Sequence, residues 1–225
     1  MADNLTLEAF LSLLDGAESV VKGDNLSERR EFLEYSVSEE KRESVQHAQD
    51  SAEDLESCHD CSGCFSRQSY ALPILNPQPL IMFVAPFPEG FTILSDGGRD
   101  YFNKWLMAMG LKRSDIALTT LIKCPVKEFR KEYADVCRKH LKSEMERLKP
   151  RAMVLLGSST AEYMLRRSSD FSLFRGRRFS INSIPVFCTY SPEDLVKDRS
   201  LRAPIWEDLQ LISAFLKENQ EKLSG

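Results

Sequence analysis

Four short apolar runs separated by helical patterns constrain this chain more than any other feature. LIMFVA (80–85), IALTTLI (116–122), AMVLLG (152–157) and IPVFCTY (184–190) have the length of strands and too little polar alternation to be half exposed. Between them come a helix from about Asp100 to Met109 that ends at Gly110, a long one over 131–148 that stops at Pro150, and a short one over Ser159–Leu165. A final helix from Pro204 to Glu218 carries Ile205, Leu209, Ile212 and Leu216 on one face. Alternation of strand and helix predicts an α/β fold, a three-layer α/β/α sandwich around a mostly parallel four-stranded sheet. Ligands of such sheets collect beyond the carboxyl ends of the strands, which singles out loops 85–99, 123–130, 157–160 and 190–199.

The domain is expected over residues 57–220, preceded by an acidic arm over 1–56. Residues 4–22 read as an amphipathic helix with Leu5, Phe10, Leu13 and Leu14 near helical spacing, and 27–56 as charge-rich linker. A Leu/Phe stripe on an acidic arm suits a partner's groove. Through residue 57 there are fifteen acidic against five basic side chains, a net of −10; the whole chain is −4, so the remainder is +6. An acidic average thus conceals a basic domain compatible with phosphate. The start of the chain lacks a secretory pattern and no apolar run has spanning length, so a cytoplasmic, non-membrane monomer is expected.

Six cysteines in such a chain exceed what packing requires. Cys58, Cys61 and Cys64 lie in CHDCSGC, Cys124 ends the second strand region, and Cys137 falls inside the long helix. Thiolates three positions apart face one ion, and a distant pair completes four-fold ligation. Spacing alone leaves zinc and an iron–sulfur cluster equally open, with a buried free thiol the alternative for each residue. Cys188, in an apolar strand, reads as core.

Taken in order, CHDCSGCFSR, LIMFVA, GLKRSDIALTTLIKC, YADVCRKHLKSEMERLKPRAMVLLGSSTA and IPVFCTYSPEDLVKDRSLRAPIWEDLQLI resemble the signature blocks of the type-four uracil-DNA glycosylases. The resemblance covers roughly residues 55–216. It implies the uracil-DNA glycosylase fold, base-excision repair of DNA, and a 4Fe-4S iron–sulfur cluster in preference to zinc. Its ligands would be Cys58, Cys61, Cys124 and Cys137, with Cys64 as substitute.

The pocket departs from that family's pattern at each position that aligns. Pro86 stands where the family has an acidic residue, and it offers neither carboxylate nor N–H. The aromatic that stacks on uracil falls near Leu94, with Phe91 as a replacement. Thr120 replaces an asparagine whose amide would read the base, and one hydroxyl cannot supply its paired donor and acceptor. Ser191, in Tyr-Ser-Pro, replaces a histidine. Glu89 and Asp96 are the carboxylates left to orient water, with Ser191 to meet the departing base. Toward DNA, Ser158 and Ser159 offer a strand-to-helix turn to a phosphate, Arg175 and Arg177 a basic cluster, and Leu195 a wedge among Glu193, Asp194 and Asp198. The expected activity is hydrolysis of the N-glycosidic bond of uracil or another damaged base in DNA. The competing expectation is an inactive homologue that binds DNA or a repair partner.

Overall fold

A computed structural model describes residues 55–64 and 71–224 of the chain. The acidic arm and its expected helix lie, apart from Leu55 and Glu56, outside the described residues.

All four apolar runs form strands, and they form the parallel centre of one sheet. These are β2 (Ile81–Ala85), β3 (Ile116–Thr120), β4 (Met153–Leu156) and β6 (Ile184–Thr189), joined side by side as β3-β2-β4-β6. The expectation of a four-stranded sheet needs correction at its edges. β1 (Ile74–Leu75) adds antiparallel to β3 and β5 (Phe179–Ile181) antiparallel to β6, giving six strands in the order β1-β3-β2-β4-β6-β5. Strands of two and three residues are too short to show a period in sequence.

Strand alternation divides the core in two. Ile81, Phe83 and Ala85 face a layer built by α1 (Asp96–Met109) and α5 (Arg202–Ser224), where Phe102, Trp105, Ile205 and Leu209 are buried. The Phe83 and Phe102 rings meet edge to face at 4.9 Å. Met82 and Val84 face the opposite layer, where α2 (Lys131–Leu148) and α3 (Ser158–Leu165) contribute Leu141, Met145 and Ala161. The three-layer sandwich is therefore real, and each side chain of β2 is claimed by one layer or the other.

Local chemistry sets the helix bounds. Ser95 caps α1 by accepting the Gly98 N–H, so the helix begins at Asp96, four residues ahead of the sequence reading. Lys149, with φ +49°, closes α2 in the left-handed region immediately before Pro150. A buried ion pair ties α2 to the strand end: Lys123 Nζ donates to Glu144 Oε1 and Oε2 at 2.7 and 2.8 Å and to Thr119 Oγ1 at 2.7 Å. Among the described residues no helix is long and apolar enough to cross a membrane.

The chain order locates the crevice. From β2 the path crosses through α1 to β3 on one side, then returns through α2 to β4 on the other side of β2. The loops leaving β2 and β4 thus diverge, and a cleft opens between their carboxyl ends.

Candidate active site

A cavity of about 270 Å³ lies in that cleft. Ala85, Pro86, Phe87 and Glu89 line it from the loop after β2, with Ile93 and Leu94 further along. Phe129 comes from the loop after β3, Ser159 from the first turn of α3, and Ser191, Glu193, Asp194 and Lys197 from the segment after β6. The segment after β6 is itself a short helix, α4 (Pro192–Lys197).

Capping determines how α4 presents its groups. Ser191 Oγ accepts the Asp194 N–H at 3.0 Å while Asp194 Oδ2 accepts the Ser191 N–H at 2.8 Å, a reciprocal capping box with Pro192 in the first turn. The Ser191 hydroxyl proton is not used in that box. Gly157, with φ +80°, lets the β4–α3 turn pass close by: a Cβ there would lie 3.5 Å from Asp194 Oδ2 and 3.7 Å from Ser191 Cβ. Glu193 reaches across to the start of α1, accepting from Ser95 N at 2.9 Å and Ser95 Oγ at 2.7 Å. Gly98 makes room for it, since a Cβ there would stand 2.0 Å from Glu193 Oε1. A carboxylate at a helix N-terminus also meets the positive end of the helix dipole.

Glu89 is the carboxyl at the rim whose acidity the site changes. Partial burial pushes its pKa above the ordinary carboxylate value, the Glu193 charge adds to that, and Lys197 opposes both. A carboxyl raised this way is better matched to taking a proton near neutral pH.

The residues singled out in sequence divide into two groups. Pro86, Glu89, Leu94, Ser159 and Ser191 share the cavity. Thr120 does not: it is buried at the end of β3, paired in register with Ala85. Phe91 is 74% exposed and lies outside the cavity lining. Asp96 is an exposed first-turn residue of α1 that pairs with Arg99 at 2.6 Å. Leu195 is fully buried in the α1 layer, so as placed here it presents no wedge. Arg175 also turns inward. Its Nε meets Asp208 Oδ2 at 2.7 Å, its Nη2 donates to the Pro204 carbonyl, and its guanidinium lies 5.0 Å from the Tyr190 ring centroid. Ser158 and Arg177 are exposed. Sequence reasoning missed Phe129 and Phe87 as aromatic walls, although both sit in or beside loops that the strand order had marked.

Burial pushes Asp208 above the usual carboxylate range even though Arg175 pulls it down. The folded state therefore binds this proton more tightly than the unfolded chain, and stability is lost as pH rises from about 3.8, the ordinary carboxylate value, through the raised pKa. Removing Arg175 raises the folded pKa further. Arg175→Met is expected to lower stability by about 2–3 kcal/mol at neutral pH and by clearly less at acid pH, below the raised Asp208 pKa. Urea titrations at the two pH values check this.

The metal centre expected from the cysteines must be corrected. Among the described residues, no group of three or more His, Cys, Asp or Glu side chains is placed to hold a metal ion. Cys61 and Cys124 lie near enough to Cys137 to help raise its pKa, and the outer thiols meet other groups. Cys58 Sγ lies 3.4 Å from His140 Nε2 and 3.8 Å from Asp60 Oδ2, and Cys64 Sγ lies 2.8 Å from the Cys61 carbonyl. Cys124 and Cys137 are buried, and burial pushes the Cys137 thiol up to about 11. This donor set fits neither a 4Fe-4S cluster nor zinc. What the cysteine segment visibly does is pack on α2, through Cys58–His140 and the Asp60–Lys139 ion pair.

Residues 66–210 match the model of the uracil DNA glycosylase superfamily. The chain is 23% identical over 182 residues to the Type-4 uracil-DNA glycosylase of Saccharolobus solfataricus, covering 73% of this chain and 84% of that protein. It is 22% identical over 191 residues to that of Archaeoglobus fulgidus, covering 77% and 96%, and 26% identical over 117 residues to that of Pyrobaculum aerophilum, covering 47% and 60%. Since the superfamily match spans more than half of the chain and coincides with the sheet and its cleft, this protein belongs to the uracil DNA glycosylase superfamily.

Proposed function

We propose that the chain hydrolyses the N-glycosidic bond of uracil or another damaged base in DNA. The observation that carries this is the cavity between the ends of β2 and β4, in a member of a superfamily named for that reaction. At about 270 Å³ it falls at the small end of ligand sites, a size suited to one base turned out of a strand and not to a whole nucleotide. In this reading Phe87 or Phe129 supplies a face for the base, and Glu89 orients water toward the anomeric carbon. The Ser191 hydroxyl, its oxygen already accepting from Asp194 N–H, donates a hydrogen bond to the departing base anion. Ser158, Ser159 and the exposed Arg177 serve the DNA backbone.

One observation favours a second reading. Among the described residues the cavity holds Glu89, Glu193 and Asp194 against Lys197, a net negative wall where a departing anion and nearby phosphates need the reverse. A homologue that binds DNA or a repair partner without turnover would tolerate that wall. Incubating the full chain with single- and double-stranded oligonucleotides containing uracil and a panel of damaged bases separates the two. Abasic sites at substoichiometric protein are the expected result. Absence of base release across the panel at stoichiometric protein, with lesion-preferring binding retained, would overturn the first reading in favour of the second.

A further inference from the structure

A second and larger depression, about 1110 Å³, runs between α2 and α3 on the sheet's other flank. Its wall on α2 follows one helical stripe, Lys131, Asp135, Arg138, Lys142 and Met145. Arg166 and Arg167 stand at the far end of α3. Five basic side chains against Asp135 and Glu162 leave the groove with a net charge of +3. The floor is apolar, with Leu141, Met145, Met164 and Ile181. Tyr163 hydroxyl donates to Asp135 Oδ1 at 2.7 Å and ties the two helices together across it. A basic rim over an apolar floor selects an occupant that is acidic and carries an apolar stripe.

The chain contains such a segment. Residues 3–18 hold Asp3, Glu8, Asp15 and Glu18, no basic side chain, and the stripe Leu5, Phe10, Leu13 and Leu14. The described chain begins on the same helix, round its side from this groove: Cys58 meets His140 and Asp60 pairs with Lys139. The stretch between residue 18 and residue 55 would span roughly 30 Å even as a coil, against about 20 Å of groove along Lys131–Met145. We propose that residues 3–18 dock in the groove between α2 and α3 of their own chain, apolar stripe inward and carboxylates on the Lys131, Arg138 and Lys142 rim. Phe129 and Ser159 line both this groove and the smaller cavity, so the docked segment borders the mouth of the site.

Zero-length carbodiimide cross-linking of the full chain at low micromolar concentration, read by mass spectrometry, tests this. Links from Glu8, Asp15 or Glu18 to Lys131 or Lys142 are expected. They should be lost in Leu13→Asp/Leu14→Asp and in Arg138→Glu, and should weaken with salt as the charge attraction is screened. Mixing chains of two isotopic compositions distinguishes an arm in its own groove from one in a second copy. Mixed-isotope links, links to other faces of the domain, or links unchanged in both variants would overturn the proposal.

Discussion

Lys123→Met is expected to cost about 3–5 kcal/mol of folding stability at neutral pH, among the largest effects available outside the hydrophobic core. Lys123 and Glu144 are 2% and 1% exposed, and Thr119 completes the group by donating to Glu144 Oε2 at 2.8 Å. All three ammonium donors have acceptors, so the pair is fully satisfied as built. Replacing the lysine leaves a carboxylate in the interior with one hydroxyl for company, and the penalty is the desolvation of an unpaired charge rather than the worth of the bond. That distinction has a consequence. Lys123→Met/Glu144→Met, which removes both charges and keeps apolar volume, is expected to recover most of the loss. The urea midpoints of wild type, both singles and the double form the cycle. A double variant no more stable than Lys123→Met would show that packing around the methionines, not the orphaned charge, is responsible.

The sequence concealed this pair because Lys123 sits in LIKCP, where a lysine after an apolar strand reads as the strand's exit to solvent. Burial of a charged group depends on a partner twenty-one positions away on α2, which no local pattern encodes. Where local pattern does decide, sequence and structure agree. The centre of the sheet was legible because four continuous apolar runs leave no alternative to burial on both faces, and α2 was legible to the residue from its charge alternation and Pro150. The edge strands were not, since Ile74–Leu75 and Phe179–Ile181 owe their pairing to β3 and β6. In the cleft, the resemblance implies a wedge-bearing loop around Leu195 after Tyr190. Its Ser-Pro-x-Asp sequence is in fact a helix start, with a capping residue, Pro in the first turn and an acidic third position. Weighing that signal would have turned Leu195 inward. The cysteines illustrate the opposite error: their order along the chain follows the family, but ligation depends on three or more donors converging on one point, and among the described residues they do not.

If the chain releases bases, Glu89→Gln is expected to lower the rate of release roughly hundred-fold or more, with little change in urea midpoint. The residue is at the rim, so its loss leaves no buried vacancy, while an amide can no longer accept a proton from water. The pH profile provides the sharper check. A base must be ionised, so release should rise with pH through the Glu89 pKa, which burial and Glu193 lift and Lys197 lowers. Lys197→Met removes a neighbouring charge that favours the carboxylate. The folded pKa then rises, and the ascending limb of kcat/KM moves to higher pH while the plateau is kept. A purely structural Glu89 would show no such displacement, and a Lys197 whose role is to hold phosphate would raise KM without moving the limb. Displacement of the limb in Lys197→Met, together with its disappearance in Glu89→Gln, assigns the base to the loop after β2, three residues beyond the proline that occupies the family's acidic position.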